Sequence, residues 1–251
     1  QVPPYNRRLW VKDEFRVSGL LWRGWDLWRN YSGHIMTNWG AHNVDMAQYA
    51  LGRDNSGPIE IWPVEAPSVL PLAAMWNHKT PPPGEINGAD RITRIPGAAP
   101  ANSSAVDERR FWPVFMRYDD GVELQFVLGP DYIVIHGELG KMTMRRNHFE
   151  VDPPDLVKDG PGPEALDIWK GRGIVARPHL ENWLNCVRTR QKPNAPVEIG
   201  HRTVTICHLA NIARELNRKL RWNPTNERFI DDQEANRLVD RARRKGFELP
   251  A

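Results

Sequence analysis

The sequence predicts an α+β domain: a largely antiparallel open sheet with helices gathered on one of its faces. Three observations carry that expectation. Short runs of alternating apolar and polar residues follow one another through residues 112–151, linked by tight-turn residues. Segments with helical spacing lie before and after this block instead of alternating with it, which argues against a parallel doubly wound sheet. At 251 residues the chain is long enough to bury a proper core as one domain.

Residues 1–30 read as irregular, with Trp, Arg and polar residues mixed at no clear period. A helix is expected over 38–51, entered through Thr37 or Asn38 and closed by Gly52, which tolerates a left-handed cap. Val44, Ala47 and Leu51 give it a core face. Ile59–Glu65 alternates as a half-buried strand, and Pro63 marks an edge or a bulge. Residues 66–104 are rich in Pro, Gly, Ala and Asn and read as a long surface excursion.

Trp112–Tyr118 and Val122–Leu128 are strand runs joined through Asp119-Asp120-Gly121, a hairpin turn. Tyr132–His136, Lys141–Arg145 and His148–Val151 extend the series, with Gly137–Gly140 as a turn. Val114, Met116 and Tyr118 share one sheet face, Phe115 and Arg117 the other. A helix opening near Pro178 repeats Leu180, Trp183, Leu184 and Val187 at core spacing. A longer one over 201–218 aligns Ile206, Leu209, Ala213 and Leu216, and Asp231 or Asp232 caps a last helix over 233–245.

Composition excludes several classes. The apolar fraction of 40% and charged fraction of 26% are those of an ordinary globular protein. A net charge of +3, spread along the chain, gives no concentrated basic surface for nucleic acid. No stretch is long and apolar enough for a membrane span. Cys186 and Cys207 sit without a redox or zinc motif and read as small buried apolar groups.

The helix over 38–51 is where chemistry concentrates. Asn38, His42, Asp45 and Tyr49 fall at i, i+4, i+7 and i+11, so an amide, an imidazole, a carboxylate and a phenol share one stripe. That is a poor surface for simple packing and a good one for lining a polar pocket. An imidazole titrates near neutrality, so His42 can take a hydroxyl proton, while Asn38 can orient but cannot accept one. Five of the 11 tryptophans crowd the first forty residues, among them Trp39 beside the stripe. Indole faces stack on sugar C–H faces, and equally fill cores. His42, Asp45, His179 and His208 offer mixed nitrogen and oxygen donors but lack tight ligand spacing, so no metal is expected.

The segment Gly33-x-x-x-Thr-Asn-Trp-Gly-Ala-His-x-x-Asp-x-Ala-Gln-x-Ala-Leu-Gly52 resembles the catalytic helix of the Gfo/Idh/MocA oxidoreductases. Further resemblance runs through His179–Asn194, Val197–Arg202, Cys207–Ala213 and Arg218–Trp222. It covers most of the chain and corresponds to the C-terminal half of that family. The resemblance implies NAD(P)-dependent dehydrogenation of a sugar or polyol by a bacterial protein. It makes His42 the family's histidine and puts Asn38 where an aspartate is usual, so the two are the candidate catalytic residues. Asp45, Tyr49, His179, Arg177 and Trp39 are the candidate substrate-binding residues.

No Gly-x-Gly-x-x-Gly and no Glu-Lys-Pro occurs in these residues. NAD or NADP is therefore expected to be held by a nucleotide-binding domain supplied upstream or by another chain, not by residues 1–251. The resemblance also implies a homo-oligomer joined through the open sheet face. The competing expectation is a non-catalytic saccharide-binding or oligomerisation module derived from the same family.

Overall fold

A computed structural model describes residues 16–17, 20–21, 32–65, 112–127, 132–145, 148–158, 160, 176–240, 243, 245–246 and 248. Most of the expected 1–30 segment and all of the 66–104 excursion lie outside these residues, as do Trp10, Trp22, Trp25 and Trp28. Near the N-terminus, strands β1 (Arg16–Val17) and β2 (Leu20–Leu21) pair with each other.

Helices α1 (His34–Thr37) and α2 (Trp39–Ala50) replace the single helix expected over 38–51. The break falls at Asn38, whose backbone leaves the helical range (φ −98°, ψ −89°). Asn38 occupies the cap position, yet its side chain makes no capping bond. Gly33 permits this tight start, because a Cβ there would lie 2.2 Å from the Thr37 side chain. Gly52 closes the segment with φ +66°, as its sequence position implied.

The main sheet has five strands in the order β10–β9–β3–β4–β5. They are β3 (Glu60–Pro63), β4 (Val114–Arg117), β5 (Glu123–Phe126), β9 (Leu220–Asn223) and β10 (Arg228–Phe229), and every pairing is antiparallel. Period-two alternation decides its faces. Val114, Met116 and Tyr118 point to the core as expected, joined by Ile61, Leu220, Trp222 and Phe229. Trp222 and Phe229 meet edge to face, ring centroids 4.8 Å apart.

The strands of 112–151 do not form one sheet, which corrects the sequence reading. Strands β6 (Ile133–Gly137), β7 (Gly140–Arg145) and β8 (His148–Asp152) make a separate three-stranded antiparallel sheet. Its register aligns Ile133, Met144 and Phe149 in one row and Ile135, Met142 and Val151 in another. All six share one apolar face, while the ladder breaks between β5 and β6.

Three further helices follow: α3 (Arg177–Thr189), α4 (Val197–Leu216) and α5 (Gln233–Asn236). Helix α4 lies over β3 and β4 and beside α1 and α2, and buries Ile206, Leu209 and Ala213 from its expected stripe. It starts earlier than expected, at Val197 behind Pro196. Helix α5 is much shorter than the 233–245 helix expected. Asp232 is its cap, accepting from the Ala235 amide at 3.0 Å. Among the described residues beyond Arg237, Leu238 alone reaches the core and Val239 is exposed, which gives them little apolar anchorage to continue the helix.

Helix α3 carries the other correction. Leu180, Trp183, Leu184 and Val187 are all exposed, at 46–53%, and only Cys186 is buried. Both cysteines are free and buried.

Candidate functional site

Helix α2 is fixed on three sides before it presents anything to a ligand. Val44 and Ala47 press into the core. Gln48, 1% exposed, is a polar residue at a core position and has every bond it needs. Its Nε2 donates to the carbonyls of Arg53 at 2.9 Å and Ser56 at 3.1 Å, and its Oε1 accepts from the Tyr118 hydroxyl on the sheet. Arg53 lies over the Tyr118 ring, 5.5 Å from its centroid, and pairs with Asp120 and Asp119 of the hairpin turn. Burial holds the Tyr118 phenol well above its ordinary pKa, so it stays a donor.

The third constraint comes from α4. Thr203 Oγ1 donates to Asp45 Oδ1 at 3.0 Å, and Asn211 Nδ2 donates to the Gly33 carbonyl at 2.7 Å. The two contacts run in opposite chain directions, so α4 grips the α1–α2 segment as an antiparallel neighbour. Gln48, Tyr118, Thr203 and Asn211 were not among the candidate residues. Gln48 had a signal: it falls in the Val44–Ala47–Leu51 stripe, where a polar side chain needs partners. Thr203 and Asn211 gave none, because their bonds join segments far apart in sequence.

What faces outward is the remaining stripe. His42 and Asp45 are exposed, and Tyr49 is 79% exposed. Trp39 is half-buried and meets the His42 ring edge-on, centroids 6.2 Å apart. Asn38 sits at the α1–α2 junction, half-buried, so it flanks the stripe instead of continuing its helical ladder. The described residues thus place Asn38, Trp39, His42, Asp45 and Tyr49 along one segment as an open polar face.

His179 and Arg177 are not joined to that face by any bond among the described residues. Both are exposed on the first turn of α3. Arg177 Nε donates to Glu181 Oε1 at 2.7 Å, which also raises the guanidinium's pKa above its ordinary value. His208, weighed above as a metal donor, is exposed on α4. Among the described residues, no three His, Cys, Asp or Glu side chains gather as a metal-ligand set.

A dinucleotide needs a parallel strand, a tight glycine turn and a helix N-terminus aimed at its pyrophosphate. Every described strand pairing is antiparallel, so that unit is not formed among the described residues. No helix among them is long and apolar enough to cross a membrane.

An antiparallel sheet covered by helices on one face, with a polar helix stripe turned to solvent, defines the described residues as an α+β domain. Residues 95–249 match the Gfo/Idh/MocA family model described as "Oxidoreductase family, C-terminal alpha/beta domain". That is well over half of the chain, which belongs to this family. No curated protein and no solved structure matches. Helix α2 precedes the matched segment, and the bonds from Thr203 and Asn211 tie it to α4 within that segment.

Proposed function

We propose that the chain is the substrate-binding part of an NAD(P)-dependent sugar or polyol oxidoreductase. The observation that carries this reading is the outward face of α2, where His42 and Asp45 stand exposed on a helix anchored to both sheet and α4. Residues three and four apart on a helix are neighbours at roughly 5–6 Å between Cβ atoms, a spacing suited to adjacent hydroxyls of one small polyol. Asp45 accepts a hydroxyl hydrogen bond, and the His42 imidazole holds a second hydroxyl or takes its proton. Trp39, edge-on to His42, offers an apolar flank for a sugar ring. The nicotinamide nucleotide belongs to a nucleotide-binding domain beyond these residues.

A second reading rests on Asn38. Standing where the family resemblance has an aspartate, it cannot receive a proton, which favours a non-catalytic saccharide-binding or oligomerisation module. Two measurements separate the readings: NAD(P)-dependent oxidation of a polyol panel by this chain together with its nucleotide-binding domain, and saccharide binding by the chain alone. Oxidation that is lost in His42→Ala supports the enzyme. Binding without oxidation supports the module, and the absence of both rejects the two readings together.

A further inference from the structure

We propose that Thr203 is a positioning residue that makes Asp45 a one-sided acceptor for hydroxyl-bearing ligands without phosphate or carboxylate groups. The inference rests on the reading of α2 as a substrate face. Thr203 is 6% exposed, in the middle of α4, and its hydroxyl crosses to Asp45 Oδ1 at 3.0 Å. A helical threonine commonly returns its hydroxyl to a carbonyl one turn back. Here it spends that hydroxyl on a carboxylate of another helix, a charge-assisted bond.

Asp45 itself is exposed, so no buried charge has to be neutralised. The bond helps hold α2 against α4, yet at an exposed carboxylate it adds little stability, because water would serve the carboxylate equally well. What the bond does is stop the carboxylate turning. Oδ1 is tied to α4, and among the described residues Oδ2 has no protein donor. The second anchor, Asn211 Nδ2 on the Gly33 carbonyl at 2.7 Å, keeps α2 from sliding along α4, so the direction of Oδ2 is fixed relative to His42. An anion aimed outward receives hydroxyl hydrogens and repels phosphate or carboxylate substituents. Within the substrate-face reading, Asp45 therefore favours hydroxyl-bearing ligands without phosphate or carboxylate groups.

The test uses nitrogen-15-labelled chain with myo-inositol as the probe, reading the amide shifts of residues 39–50. Thr203→Val removes the hydroxyl and keeps the shape; Thr203→Ser keeps the hydroxyl. Losing one aligned hydrogen bond corresponds to about five- to tenfold weaker binding in Thr203→Val. Thr203→Ser should bind within about twofold of wild type, and both variants should keep the wild-type melting temperature. Wild-type affinity in Thr203→Val overturns the inference and leaves the substrate-face reading standing. Weakening that Thr203→Ser does not rescue overturns it too, since repacking would then be the cause. If myo-inositol moves no α2 amide in the wild-type chain, the substrate-face reading fails and takes the inference with it.

Discussion

Two side chains six residues apart on α2 should respond to substitution in opposite ways. Gln48 is buried and triply bonded, so Gln48→Leu strands the Tyr118 hydroxyl and the Ser56 carbonyl and takes one of two donors from the Arg53 carbonyl, which keeps the Ser56 amide. Each buried polar group left without a partner costs about 1–3 kcal/mol, and relaxation recovers part, so a loss of about 2–4 kcal/mol is expected in urea unfolding. His42 is exposed, and His42→Ala should leave stability within about 0.5 kcal/mol. In the complete oxidoreductase the same change should lower the maximal rate about 100- to 10,000-fold. An unchanged rate with wild-type folding makes His42 scaffold.

Cys207 supplies a pH prediction. Burial pushes its thiol up from 9.0 to about 12, so the folded state keeps the proton that the unfolded chain releases. Its contribution is fully present below pH 9 and is lost as pH rises towards about 12. Cys207→Ala should flatten that alkaline decline, and thiol reagents should label Cys207 only in the unfolded chain. Nearby Arg214 is also buried and donates to the Trp112 carbonyl at 2.7 Å. Desolvation lowers it to about 10, still high enough for a charged guanidinium at neutral pH.

Helix α3 puts the sequence and the structure in direct opposition. Periodicity marks Leu180, Trp183, Leu184 and Val187 as core, where truncation to alanine costs about 2–5 kcal/mol. The structure turns that stripe outward and faces Cys186 inward. Leu184→Ala should therefore cost under about 1 kcal/mol in this chain, and a core-sized loss would show the stripe to be covered. Periodicity reports which residues lie on the same side of a helix; it does not report which side meets the body of the protein. For that reason the α4 stripe, pressed on the sheet, was legible, and the orientation of α3 was not. The inward row of β4 was legible because Val114, Met116 and Tyr118 alternate with Phe115 and Arg117. Strands β9 and β10 were missed because Leu220–Asn223 and Arg228–Phe229 are too short to establish a period. In the site, a helix gathering His42, Asp45 and Tyr49 was readable from spacing alone, whereas its fastening by Thr203 and Asn211 depends on contacts no local pattern records.

At the scale of the whole molecule, the two sheets differ in the surface they offer. On the outer face of the main sheet, Lys219 and Arg117 bond Glu60 at 2.8 and 3.2 Å, Arg117 reaches Glu123 at 2.8 Å, and Arg221 pairs with Asp231 at 3.0 Å. Lys219 and Arg117 also lie over the Trp62 ring, 4.9 and 5.4 Å from its centroid. These charges alternate in sign across neighbouring strands, an arrangement that hydrates well and gains little from being covered. The small sheet instead aligns Ile133, Met144 and Phe149 and Ile135, Met142 and Val151 on one face that carries no charge, with Phe149 exposed and the other five half-buried, a face better suited to association than the charged one. We expect light scattering to give a homo-oligomer, and Met144→Lys to shift it towards the 28.9 kDa monomer while Arg117→Gln leaves it intact. A wild-type monomer rejects this expectation. Calorimetry should also find NAD(H) and NADP(H) binding to residues 1–251 no tighter than millimolar, and low-micromolar affinity would overturn the assignment of the cofactor to another domain.

The place of β3 in the main sheet bears on how the protein is made. Its partners are β4 on one side and β9 on the other, and β9 leaves the ribosome only after α4. A nascent chain therefore carries an open strand edge through most of its synthesis, the condition under which chains pair with strangers. Glu60 and Pro63 sit on that strand, and a charge and a missing amide both discourage intruders. Stalling or truncation before Leu220 should thus yield a species that clings to chaperones, even though α1, α2, β3 and β4 have already been made.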